Sequence, residues 1–198
     1  MQGKIIAVIG APGSGKSFLV HKLAEQYHAI AFMEGEPPDF PPEIRNKLEE
    51  NECDLEVFLW FRGKLLKEML EAQRLSHLGK TILLDTFWKS SECYLDLIED
   101  DEERKEAAKV LEEDEKLLPL PDKIILLKIS EEKLRELMHT RGREIENEET
   151  IDINLFLAKE YERIFTKKKF GERLVIINRD EMDFEREGDV KEVMERIK

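Results

Sequence analysis

The stretch GAPGSGKS, Gly10 to Ser17, follows the apolar run KIIAVI and precedes a helical pattern. It satisfies G-x-x-x-x-G-K-[ST] in full, with a strand before it and a helix after it as the motif requires. Glycines let successive backbone N–H groups converge on one anion, and the helix N-terminus adds partial positive charge. The motif therefore dictates a strand, a tight turn and a helix in that order, closing on a phosphate. Lys16 is placed to reach the β- and γ-phosphates of a nucleotide and Ser17 to ligate Mg²⁺. The nucleotide-contacting run comprises Gly10, Ala11, Pro12, Gly13, Ser14, Gly15, Lys16, Ser17 and Phe18.

Downstream, apolar runs alternate with helical periodicity. Strands are expected at Lys4–Ile9, Ala29–Met33, Thr81–Leu84, Lys123–Ile129 and Leu174–Ile177. Helices are expected at Lys16–Gln26, from the cap Asp54 to His77, over Ser91–Ile98 and Glu102–Leu117, from the cap Ser130 to Thr140, and over Ile151–Thr166. Asp189 reads as the cap of a closing helix, with Glu192 three residues on. The segment PPDFPP, Pro37 to Pro42, reads as a stiff loop. The acidic run Glu99–Glu106 reads as a solvated turn between helices. Such alternation implies an α/β fold: one domain over residues 1–198, three layers, with a five-stranded parallel sheet covered on both faces.

Composition narrows the partners. A net charge of −13 argues against nucleic acid and against anionic membranes. The two cysteines, Cys53 and Cys93, read as reduced thiols. No apolar run is long enough to span a bilayer and no secretory segment is evident, so the expected location is the cytoplasm.

Four further features carry chemistry. Asp85 ends an apolar strand, where a second acidic group could hold Mg²⁺ or its waters. The segment RGREIE, Arg141 to Glu146, offers two guanidiniums in a polar stretch where a closing lid, about residues 141–149, would lie. Glu34 and Glu36 follow the second strand at the carboxyl edge of the sheet, where a carboxylate can take a proton from an acceptor hydroxyl. Arg62 falls on the apolar face of its helix, so it either pairs with a buried carboxylate or contacts a ligand.

Together these pieces resemble the deoxynucleoside kinase family over most of the chain. Glu36-Pro37 resembles the family's Glu-Pro pair, whose Glu is the general base. FLWFR resembles the helix over the nucleoside pocket, which implies base contact for Arg62. The R-G-R-x-x-E lid pattern is present as Arg141, Arg143 and Glu146, and Met182–Phe184 resembles the late loop near the adenine, which assigns Asp183 and Phe184 to the nucleotide. The string Asp85-Thr86-Phe87 departs from the family, which carries Arg after its acidic residue; Lys89 is the nearest cation on offer. Leu55 stands near the place of the Gln that reads the nucleobase, and Ser90, Ser91 or Glu92 replaces the acidic partner of the family's Arg.

The resemblance implies an ATP- and Mg²⁺-dependent kinase acting on the 5′-hydroxyl of a (deoxy)nucleoside. Lys16, Arg141 and Arg143 would stabilise the transferring phosphoryl, Ser17 and Asp85 would serve the metal, and Glu36 would be the base with Glu34 as rival. Glu146 and Asp85 join Glu36 and Arg62 on the substrate side. The family often forms homodimers through helices beside the sheet, and the long helix from Asp54 is available for that. Two other readings stay open: a thymidylate kinase-like enzyme acting on nucleoside monophosphates, and a nucleotide-binding regulatory module without acceptor chemistry.

Overall fold

Five apolar runs become five parallel strands: β1 Ile5–Ile9, β2 Ile30–Phe32, β3 Ile82–Asp85, β4 Lys123–Lys128 and β5 Leu174–Asn178. The computed structural model describes residues 3–35, 39–141 and 148–198. The strand order is β2-β3-β1-β4-β5. β1, β3 and most of β4 are buried, which explains why they read as continuous apolar runs without alternation. Register places Val8 opposite Asp85 on β3 and opposite Ile125 on β4.

One face is covered by α1 (Lys16–Tyr27) and α7 (Glu187–Arg196), whose Leu19, Val20, Leu23, Val190 and Val193 pack on Ile6, Val8, Leu83 and Ile125. The other face carries α3 (Leu55–His77) and α6 (Glu148–Phe165), with Met69, Tyr161 and Phe165 against Ala7, Ile9, Leu84 and Leu126. A 3-10 segment, Trp88–Leu97, joins that layer and buries Trp88 and Cys93; the Trp88 indole donates to the Pro119 carbonyl at 3.0 Å. The chain thus leaves β1 toward one face and β3 toward the other. Between these neighbouring strands lies the crevice at which open α/β sheets bind ligands.

Local chemistry sets the helix boundaries. Asp54 caps α3 by accepting from Val57 N at 2.9 Å, and Ser130 Oγ accepts from Lys133 N at 3.2 Å at the start of α5 (Glu131–Arg141). The run Glu99–Glu106 is not a turn. Asp100 accepts from the backbone of Glu102 and Glu103, and its acidic neighbours fill the first turn of α4 (Asp101–Leu117), where the helix dipole favours them. The closing helix starts at Glu187, earlier than Asp189, which sits in its first turn and accepts from Asp183 N at 2.7 Å. Pro42 opens a further helix, α2 (Pro42–Glu49), because a proline at the first helical position loses no hydrogen bond. Glu148 and Glu149 of the expected lid are the first turn of α6, and positions 142–147 lie outside the described residues. Among the described residues no helix is long and apolar enough to cross a membrane.

Candidate active site

The phosphate loop has the backbone its glycines anticipate. Gly10, Gly13 and Gly15 all have positive φ, and Gly15 is the left-handed N-cap of α1. Lys16 is buried and its Nζ donates to the Ala11 carbonyl at 3.2 Å, so the ammonium lies over the loop. Phe18 points away from the core; it is exposed, with Lys22 Nζ 5.5 Å above its ring. A Cβ on Gly13 would stand 2.9 Å from Met138 Cγ and 3.2 Å from Leu134 Cδ1, so α5 rests directly on the loop.

Ser17 Oγ donates to Asp85 Oδ2 at 2.6 Å across the β1–β3 crevice. Asp85 is buried and its other oxygen, Oδ1, has no hydrogen-bond partner. A serine hydroxyl and a half-unpartnered carboxylate at a phosphate loop form the oxygen donor set that Mg²⁺ or its waters take in proteins of this construction. The next residue, Thr86, has φ 69° and is 3% exposed, with its backbone N donating to the Val8 carbonyl at 2.9 Å. A β-branched residue in that conformation is a genuine outlier.

A second set of side chains meets Asp85 and Lys16 from β2 and α3. Burial pushes the Glu34 carboxyl above its usual range; Lys16 and Lys64 pull it back, while Asp85 and Glu68 add to the rise. Lys64 Nζ pairs with Glu68 Oε1 at 2.5 Å and also donates to the Met33 carbonyl at 3.0 Å. Burial likewise raises Glu68, opposed by Lys64. Tyr94 and Tyr161 feel the Glu34 charge as well, and burial raises both phenols. Tyr161 also meets the hydroxyls of Thr86 and Ser90.

Other expected site residues have partners of their own or lie outside the described residues. Arg62 makes a two-pronged bond to buried Asp114 of α4, Nε–Oδ2 at 2.6 Å and Nη2–Oδ1 at 2.5 Å, so of its two readings the structure shows the carboxylate pair. Lys89 turns to Glu92 at 2.6 Å and Glu115 at 3.2 Å, not toward Glu34. Leu55 is the first residue of α3 and its backbone N donates to Glu103 at 2.9 Å. Glu36, Arg143 and Glu146 lie outside the described residues; Arg141 is the last residue of α5.

Asp183 and Phe184 follow β5, and Phe184 Cδ2 would lie 3.9 Å from a Cβ on Gly15. Between them and the loop stands Arg179, 7% exposed, its guanidinium 4.4 Å from the Phe184 ring centroid and bonded to the Met182 carbonyl. Its Nε has no partner and would stand 3.4 Å from a Gly15 Cβ. Sequence reasoning misses Arg179, Lys64 and Glu68. Arg179 could have been found as a cation just beyond a strand's carboxyl end. Lys64 and Glu68 look like an ordinary exposed helical pair at i, i+4.

A family model described as an AAA domain matches residues 5–185. No curated protein matches the chain in sequence. Among solved structures, deoxyadenosine kinase from M. mycoides with bound dATP is similar at 15% identity and TM-score 0.74, covering 98% of each chain. Thymidylate kinase from Candida albicans is similar at 18% identity and TM-score 0.64, over 100% of this chain and 94% of that one. A gluconokinase from Sinorhizobium meliloti follows at 18% and 0.62, over 99% and 91%. At such identities the likeness establishes the P-loop kinase fold, with its five-stranded parallel sheet. Its phosphate loop, its sheet order and the extent of the family match agree, and the chain belongs to the AAA domain family.

Proposed function

We propose that this protein is an ATP-dependent kinase that moves the γ-phosphoryl group to a hydroxyl of a small acceptor, with the 5′-hydroxyl of a (deoxy)nucleoside as first choice. The observation that carries this reading is the Ser17–Asp85 pair in the same crevice as Lys16 and Glu34. Lys16 exchanges its loop carbonyl for the β- and γ-phosphates. Ser17 and Asp85 would hold Mg²⁺, which would supply positive charge to offset that of the phosphates. Glu34 accepts the hydroxyl proton; its raised carboxyl is better matched to that task than an ordinary one. Glu36, two residues on, is the competing base. Arg141, which ends α5, and Arg143 would stabilise the transferring phosphoryl, and Glu146 would serve the substrate side. Asp183 and Phe184 border the nucleotide. The substrates are diffusible, which fits a cytoplasmic enzyme.

An acceptor bearing its own phosphate is disfavoured. Among the described residues, Glu34 stands with two further carboxylates, Glu68 and Asp85, against two ammoniums, Lys16 and Lys64. A thymidylate kinase-like reading needs the opposite balance.

The test is turnover with ATP, Mg²⁺ and a panel of nucleosides, nucleoside monophosphates and gluconate, with Lys16→Ala as control. Nucleoside phosphorylation that vanishes in the control is expected, and product from monophosphates alone sinks the reading. Glu34→Gln should cut kcat by ~10²-fold or more while ATP affinity holds. If Glu36→Gln does so and Glu34→Gln does not, the base is Glu36.

A further inference from the structure

The Lys64–Glu68 pair does something that phosphoryl transfer alone does not require. Pairs at i, i+4 usually lie in water and hold little. Here the side chains are 23% and 15% exposed, and both stand near enough to Glu34 for their charges to act on it. Lys64 is tied to the Met33 carbonyl, one residue before Glu34, so its position is fixed to the strand end that carries the proposed base. Glu68 Oε1 is taken by Lys64, but Oε2 is shut away from water with no hydrogen-bond partner. Burying such an oxygen unpaired is costly, and proteins tolerate it where a ligand completes the bond.

Charge sharpens the point. With Lys16 given to the donor phosphates and Asp85 to the metal, the described residues around Glu34 leave Glu34 and Glu68 facing Lys64. We infer that Glu68, positioned by Lys64, determines acceptor specificity: Oε2 accepts a hydrogen bond from a second hydroxyl or an amino group on an acceptor with no negative charge. This rests on the kinase reading above. It assigns the pair a role that repels carboxylate- or phosphate-bearing competitors while rewarding one extra donor group on the right molecule.

The experiment uses whichever acceptor is phosphorylated fastest, together with analogues each lacking one hydroxyl or amino group. Wild type, Glu68→Gln and Lys64→Met are compared by acceptor KM, kcat and ATP KM. Glu68→Gln should raise the acceptor KM ~10-fold or more with ATP KM unchanged. One analogue should lose at least ~10-fold in kcat/KM with wild type and far less with Glu68→Gln, closing a double-mutant cycle on that group. A merely structural role would raise ATP KM and lower the melting temperature instead. Should Glu68→Gln leave acceptor KM within about twofold, or discriminate every analogue as wild type does, the inference fails while the kinase reading stands. A best acceptor that carries a phosphate or carboxylate also overturns it. No turnover of any acceptor by wild type overturns the kinase reading, and this inference with it.

Discussion

Glu34 and Glu68 hold their protons higher on the pH scale than free carboxyls do, because burial outweighs the lysines beside them. The sign of the stability effect follows. A carboxyl whose folded pKa is raised binds more protons folded than unfolded, so its contribution is favourable at low pH and is lost as pH rises through the raised value. Glu68→Gln should therefore melt higher than wild type at pH 7, and the difference should shrink as pH falls through the raised value and be gone below the usual carboxylate range. A gain that persists unchanged at pH 4 would contradict this account. Thr86 shows a second residue-scale conflict, since its strained φ is retained where the resembled family carries arginine. The phosphate-loop residues and the Asp85 partnership could be read directly from sequence because their chemistry is local. The destination of Arg62 could not: its partner Asp114 lies 52 positions away, and only packing selects between carboxylate and ligand.

The elements most readable in sequence are the ones with uniform surroundings. β1 and β3 are buried on all sides and spell it out in Ile, Leu and Val, whereas β2 is an edge of three residues and its limits blur. α7 begins at Glu187 without a side-chain cap, which leaves Asp189 as the only visible and misleading signal. α5 against the loop is a contact that no periodicity announces. Gly13→Ala places a methyl 2.9 Å from Met138 Cγ in a backbone at φ 84°, so both clash and strain arise. We expect a loss of ~1–3 kcal/mol in stability and weakened ATP affinity. Met138→Ala carries its own cavity cost, but in its background Gly13→Ala should lose the clash and keep the φ cost. Chemical denaturation and ATP titration of both single variants and the double would show this; a Gly13→Ala cost that vanishes in the Met138→Ala background would mean that the backbone is unstrained.

At the scale of the molecule, two cores share one sheet, so donor binding on the α1 side is registered by the strands that also carry the α3 side. ATP with Mg²⁺ at ~100 times its Kd should add ~2.7 kcal/mol of stability, raising the melting temperature by several degrees. Lys16→Ala should abolish that rise, which calorimetry can test without any acceptor. The charge of −13 predicts a further, smaller rise in melting temperature when salt screens self-repulsion.

Cys93, sealed in the 3-10 wall next to Tyr94, gives the protein a built-in clock. Its thiol is 0% exposed and burial drives it far above the range of a reactive thiolate, while the half-buried Cys53 is pushed up to about 11. Alkylation at Cys93 therefore waits for that wall to open, and in a Cys53→Ser background the labelling rate counts those openings. Acceptor bound beside Glu34, whose charge Tyr94 feels, should slow the count; ATP alone, held at the phosphate loop, should slow it less. Equal protection by both ligands would show that the two halves breathe as one.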